Sequence, residues 1–255
     1  MLCNTGLVCH ITGELYKGYG DAMSIFAISD LHLSLSCDKP MHVFGSCWEN
    51  YEEKMQRNWN RVVTDEDLVL IPGDISWAMY LQEVKADFSY IHQLNGQKLL
   101  LRGNHDYWWT TLSKMEQYVE ENGFGTIHFL KNTAFMWGDT AICGTRGWPI
   151  AHPGSTEENR KIYERERIRT VLSLEEARRQ KPKEIIAAFH YPPLERGGVS
   201  EGFLDILRDY HVGRCVFGHL HAAAHQYAPQ GNYDGITLSL VSCDYLNFTP
   251  LLVKK

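Results

Sequence analysis

The stretch Lys98-Leu99-Leu100-Leu101-Arg102-Gly103-Asn104-His105-Asp106 sets the pattern of the chain: a short aliphatic run stops near a glycine, and residues of metal-ligand type follow. The same arrangement recurs on either side of it. Residues 25–28 lead into Asp30-Leu31-His32, residues 68–71 into Gly73-Asp74, residues 185–189 into His190, and residues 215–217 into Gly218-His219-Leu220-His221. Aliphatic runs of this length read as buried strands. Each donor group therefore sits where a strand stops. In open α/β sheets the crevice outside the carboxyl ends of the strands is where loops converge on a ligand.

The donor types suit a pair of divalent cations. Two such ions, about 3.5–4 Å apart, need a carboxylate that reaches both and neutral imidazoles to fill the remaining positions. Asp74 is the expected bridge. Asp30, His32 and His221 are expected to complete one metal, and Asn104, His190 and His219 the other. The spacing of Asp30 with His32, and of His219 with His221, predicts extended segments with both donors on one face. Leu31 and Leu220 would then point into packing. Of the 12 histidines, the remaining ones apart from His105 read as surface or core residues.

Asp30-Leu31-His32, Gly73-Asp74, Gly103-Asn104-His105-Asp106, a single histidine after a strand and Gly218-His219-Leu220-His221, in that order, resemble the calcineurin-like metallophosphoesterase superfamily, in its bacterial phosphohydrolase form. The resemblance runs from Ser24 to about Phe248. It implies a four-layer αββα sandwich, with two mixed β-sheets face to face and helices outside. It also implies a binuclear centre of Mn, Fe, Zn or a mixture, held by the seven residues above. His105 carries over as the histidine beside the metals that protonates the leaving group or holds the phosphate oxygens. The implied activity is hydrolysis of a phosphomonoester or phosphodiester of a small phosphorylated metabolite or nucleotide, by in-line attack of a metal-bridging hydroxide. A metal-dependent nuclease and a non-catalytic scaffold of the same fold are the alternatives. The first calls for basic flanks that are not found, and the second tends to lose ligands that are all present here.

One departure from the superfamily is informative. Its Ser/Thr protein phosphatases carry an Asp-Arg pair three and four residues after the bridging aspartate, where this chain has Trp77 and Ala78. The phosphate clamp of that branch is missing, and the residue that orients His105 is left open. Asp106, its neighbour, could instead serve a turn or the N-cap of a following helix.

Trp77, Trp108, Trp109 and Trp148 lie near motif loops, where they could stack a flat substrate group or simply pack. Gly144-Thr145-Arg146-Gly147-Trp148-Pro149 follows a strand-like run and presents Arg146 either for a bidentate phosphate contact or for a surface salt bridge.

A net charge of −6 argues against nucleic acid as the main partner, leaving a small phosphorylated substrate. Seven cysteines, odd in number and without a CxxC pair, form no disulfide framework or structural zinc site and fit a cytoplasmic protein. No apolar run approaches the roughly 18–20 residues of a membrane span. Met23 stands directly before the first strand, and codons for Lys17-Gly18 can form a purine-rich stretch like a ribosome-binding site. Met23 is therefore the expected physiological start, with residues 1–22 an N-terminal extension and 23–255 a single domain. Apolar spacing predicts helices over 48–63, 80–94, 110–122 and 156–181, the last with Ile162, Ile168, Val171 and Leu172 facing the core. A loop from Ser34 would precede the first of these and roof the site. Strands are expected over 236–241 and 248–253, completing the second sheet, with another over 222–227.

Overall fold

The computed structural model describes residues 23–194 and 202–255. The N-terminal extension at 1–22 lies outside the described residues. In chain order the elements are β1 (Ile25–Ala27), α1 (Tyr51–Val62), β2 (Leu68–Pro72), α2 (Lys85–Gln93), β3 (Gln97–Leu101), α3 (Leu112–Glu121), β4 (Ile127–Leu130), β5 (Ala134–Trp137), β6 (Thr140–Thr145), α4 (Glu157–Arg179), β7 (Glu184–Phe189), α5 (Leu204–Asp209), β8 (Arg214–Phe217), β9 (Gly231–Tyr233), β10 (Ile236–Leu240) and β11 (Leu251–Lys254). No helix among the described residues is long and apolar enough to cross a membrane.

The strands form two mixed sheets, ordered β11-β1-β2-β3-β4 and β5-β6-β7-β8-β10-β9. The central pairings are parallel, while β11, β5 and β9 close the edges antiparallel. Because side chains alternate along a strand, each sheet has two apolar faces. Ile25, Ala27, Leu68, Leu70, Leu99 and Leu101 meet Ile142, Ile186, Ala188 and Val216 of the other sheet in one core. The residues between them, such as Val69, Ile71 and Leu100, pack outward on Met55, Trp59, Phe88 and Met115 of α1 to α3. On the far side Cys143, Ala187 and Phe189 pack on Tyr163 and Leu174 of α4 and Leu207 of α5. The result is the expected αββα sandwich.

Four local expectations need correction. Ile168 and Leu172 are exposed, and α4 instead buries Tyr163, Glu166, Thr170, Ser173, Leu174 and Ala177. Thr170, Ser173 and Ala177, small or polar, let α4 lie close on β6, where the Ser173 hydroxyl accepts the Gly144 amide at 2.9 Å. The helix expected over 80–94 begins as a 3₁₀ turn, Leu81–Glu83, because the Glu83 carboxylate accepts the amides of Met79 and Tyr80 and closes that turn separately. Residues 222–227 form 3₁₀ turns rather than a strand, starting from Ala222 at φ 48°. The last strand does not complete the second sheet. It returns to pair antiparallel with β1, Phe26 facing Leu252.

Lys98 shows how tightly the outer layer is closed. It is fully buried, yet its ammonium donates to the carbonyls of Leu94 at 2.6 Å and Gly96 at 2.7 Å, just beyond the C-terminus of α2. A cation suits the negative end of a helix whose last carbonyls have no amide partners. Burial pulls this ammonium down to about 7. Lys98→Met should keep the volume but leave those carbonyls without a donor, lowering stability by about 2–3 kcal/mol in urea unfolding.

Candidate metal centre

All seven expected donors come together in the crevice at the carboxyl ends of the strands. Asp30 and His32 follow β1, Asp74 follows β2 and Asn104 follows β3, so four donors come from the first sheet. His190 follows β7, and His219 and His221 follow β8, so three come from the second. The backbone that delivers them is not the extended chain expected. Asp30, His32, Asp74 and His219 lie at φ 59°, 46°, 52° and 73°. The left-handed conformation costs an L-residue about 1–2 kcal/mol, less for Asp, Asn and His. It is held by lacing between the loops: Asp30 and His32 donate their amides to the carbonyls of Gly73 and Asp74, both at 2.9 Å. Leu31, between them, is fully buried.

The glycines before the donors leave room for the carboxylates. A Cβ on Gly103 would stand 2.1 Å from Asp74 Oδ1, and one on Gly218 would stand 2.3 Å from Asp30 Oδ2.

The donor atoms face one another in two groups that share Asp74. In the first, His32 Nε2 lies 3.3 Å from His221 Nε2, His221 Nε2 lies 3.4 Å from Asp30 Oδ1, and His32 Nε2 lies 3.8 Å from Asp74 Oδ2. In the second, Asn104 Oδ1 sits 2.7 Å from His190 Nε2 and 3.0 Å from His219 Nδ1, with His190 Nε2 3.6 Å from Asp74 Oδ1. Lone pairs converging from imidazole, amide and carboxylate groups, without thiolates, make a donor set that fits Mn, Fe or Zn. The electrostatics agree. Burial and the neighbouring Asp30 push the Asp74 carboxyl up to about 7. Burial opposes ionisation of Asp30 as well, but the His221 hydrogen bond and nearby imidazoles hold it well below the usual range.

Three carboxylate and hydroxyl supports were not read as part of the site. Asp244 Oδ1 accepts from His221 Nδ1 at 2.9 Å, fixing which ring nitrogen faces the cluster. Although burial opposes it, that bond and Asp30 raise His221 to about 10. Ser29 and Ser242 donate their hydroxyls to Asp30 Oδ2. Asp244 follows β10 at the same rim, so its position after a strand was a usable signal.

Asp106 neither orients His105 nor caps a helix; α3 takes Thr111 as its N-cap. Its Oδ2 accepts the amides of Gly103 at 2.7 Å and Asp74 at 2.9 Å, and its Oδ1 accepts from Ile75, Ser76 and the Trp108 indole. Burial and the charge of Asp74 push this carboxyl up to about 6 against those hydrogen bonds. Trp108 is thereby placed in the core, edge-on to Phe88, away from the site surface. Trp109 packs beside it.

His105 donates its amide to Asp74 Oδ1 at 2.8 Å. No hydrogen-bond partner among the described residues reaches its buried Nδ1, and its ring is held by Trp77, with centroids 4.5 Å apart. Trp77 also stacks on His32 at 4.9 Å and 19°. With Met41 and Trp48 these residues line a cavity of about 360 Å³ beside His221, walled by the loop that follows Ser34. Arg146 lies on the other flank. Its carbonyl accepts the amides of His190 and Tyr191, and its guanidinium stands 4.6 Å over the ring of Trp148.

The model of the calcineurin-like phosphoesterase family matches residues 23–223. An uncharacterized protein of Methanocaldococcus jannaschii is 30% identical over 105 residues, which cover 39% of this chain and 54% of that protein; the chain thus spans about half the length of this curated relative. Among solved structures, the phosphopantetheinyl hydrolase of Mycobacterium tuberculosis superposes with a TM-score of 0.51 at 15% identity, over 88% of this chain and 90% of that one. The protein TT1561 of Thermus thermophilus superposes with a TM-score of 0.52 at 14% identity, over 79% of this chain and 83% of that one. At such identities the structural matches speak for the fold alone.

Two substitutions separate the supports of this centre. Asp106→Asn turns an amide donor toward backbone N–H groups, and stability should fall by about 2–4 kcal/mol in urea unfolding with chelator present. Asp244→Asn should lower that stability less than Asp106→Asn does and weaken divalent-metal affinity by about 10–100-fold in calorimetric titration.

Proposed function

The chain belongs to the calcineurin-like phosphoesterase family, and on that premise we propose that it is a binuclear metal-dependent phosphoesterase acting on a small phosphorylated metabolite or nucleotide. The observation that carries this reading is the pair of donor groups sharing Asp74, each closing to between 2.7 and 3.8 Å across loops of two different sheets. Asp30, His32, Asp74 and His221 would hold one ion, and Asp74, Asn104, His190 and His219 the other. Two divalent ions bound there supply positive charge to the phosphoryl oxygens and lower the pKa of a coordinated water.

The protein's own groups do the rest. Asp74 keeps the two donor groups at a fixed separation, because its carboxylate is pinned by the His105 amide and its backbone by Asp106. His105 stands outside the donor set, and in this reading it transfers a proton to the departing oxygen or holds a phosphoryl oxygen. The apolar walls of Trp48, Trp77 and Met41 exclude water on the His221 side and receive the organic part of the ester. Trp77, standing where protein phosphatases carry an aspartate, favours a flat or apolar group there over a phosphoprotein chain. The described fold is read as one domain from residue 23 onward, working in the cytoplasm.

Protein stripped of metal and reloaded with manganese should hydrolyse a chromogenic phosphomonoester or the matching diester, and the preferred ester tells phosphatase from diesterase. Asp74→Asn should lose bound metal together with turnover. His105→Ala should keep the metal and lose roughly 10²–10⁴-fold in kcat. Equal metal loss in both variants, measured by elemental analysis, would contradict these roles.

A further inference from the structure

A second concavity, of about 310 Å³, opens on the flank of the centre opposite the aromatic cavity, between the ends of β3, β4 and β6. Arg102, Lys131, Arg146 and Arg169 line it, with Glu166 the one carboxylate among its lining residues. Glu166 is committed already, accepting from Arg169 Nη1 at 2.6 Å. Four cations against that one carboxylate leave an excess of positive charge around a partly enclosed space, in a chain whose net charge is −6. Arg102 Nε is buried without a hydrogen-bond partner, an unusual position for a guanidinium whose five donors demand acceptors. Lys131 keeps one contact, to the Thr110 carbonyl at 2.7 Å; burial, then Arg102 and Arg169, depress its pKa.

The hollow adjoins the metal donors through the backbone. Arg102 precedes Asn104 by two residues, a Cα separation of roughly 7 Å at most. The Arg146 carbonyl accepts the His190 amide at 3.2 Å. Half-buried like charges that repel one another in a partly enclosed hollow are stabilised by an anion that can accept several N–H bonds at once, and a phosphoryl group offers three oxygens to planar guanidinium forks.

We propose that the Arg102–Lys131–Arg146–Arg169 hollow is a second phosphoryl-binding subsite, which holds an additional, uncleaved phosphate of a substrate whose scissile phosphate lies at the Asp74 centre. This rests on the phosphoesterase reading for its second half only. The preferred substrates would then carry two phosphoryl groups separated by an organic spacer, with Arg102 and Arg169 serving affinity rather than the chemical step.

Two measurements test the halves separately. In the first, inorganic phosphate is titrated by calorimetry into metal-free protein, whose Asp74 centre holds no divalent ion to attract it. Binding is expected in the wild type and about tenfold weaker in Arg102→Gln and in Arg169→Gln. In the second, manganese-loaded protein hydrolyses whichever chromogenic ester it prefers, 4-nitrophenyl phosphate or the matching diester, while a nucleoside 3′,5′-bisphosphate or the matching 5′-monophosphate competes. The bisphosphate should inhibit at lower concentration than the monophosphate, and either glutamine variant should erase that advantage while leaving kcat for the chromogenic ester unchanged. Absence of phosphate binding, or equal binding in wild type and both variants, would overturn the subsite. Phosphate binding without any bisphosphate advantage would make the hollow a separate anion site and overturn its assignment to the substrate. Failure to hydrolyse either ester, with phosphate binding intact, would count against the proposed reaction and the substrate assignment, and leave the anion site standing.

Discussion

One buried carboxylate holds the centre's geometry. Asp106 gathers amides from Asp74, Ile75, Ser76 and Gly103 and the indole of Trp108, so the loops after β2 and β3 are a single hydrogen-bonded body. Buried charges are tolerated where several N–H groups replace lost water. With those two loops fixed, Asp74 and Asn104 cannot drift apart. The amide of His105, which donates to the Asp74 carboxylate, is carried along.

The second sheet is registered against this body by equally short links. Asp30 accepts the His219 amide from across the crevice, at 3.0 Å to Oδ2, and the Ser242 hydroxyl bonds the same carboxylate. His190 Nδ1 lies 3.0 Å from the carbonyl of Pro72 in β2, leaving Nε2 for the centre. The flanks of this frame are chemically unequal: tryptophan and methionine on the His221 side, arginine and lysine on the Arg146 side.

The fold's inner strands were legible because buried parallel strands are continuous aliphatic runs, and the runs before Asp30, Asp74, Asn104, His190 and His219 became β1, β2, β3, β7 and β8 within a residue or so. The convergence of donors could be read from their common position after strands. What could not be read depends on partners distant in sequence. Asp106 is defined by amides some thirty residues upstream, and no local pattern encodes that. The inner face of α4 was misassigned because its contact with β6 uses Thr170, Ser173 and Ala177, which a search for large apolar residues passes over. The final strand was given to the wrong sheet because sequence proximity favours β10, whereas the chain end returns to β1. Residues 30–32 looked extended from spacing alone, and only the lacing to Gly73 and Asp74 reveals the turn.

The left-handed backbone at Asp30, His32, Asp74 and His219 bears on how mutational data for this chain must be interpreted. At these positions the side-chain types that bind metals are also among the few that tolerate positive φ, so one amino-acid choice satisfies two independent demands. An alanine scan would therefore merge a conformational penalty with the loss of a donor and overstate the chemistry. At the two aspartates, asparagine preserves the backbone preference while removing the charge, and glycine relaxes the backbone while removing the side chain. Comparing the two at one position separates the contribution of the loop from that of the ligand.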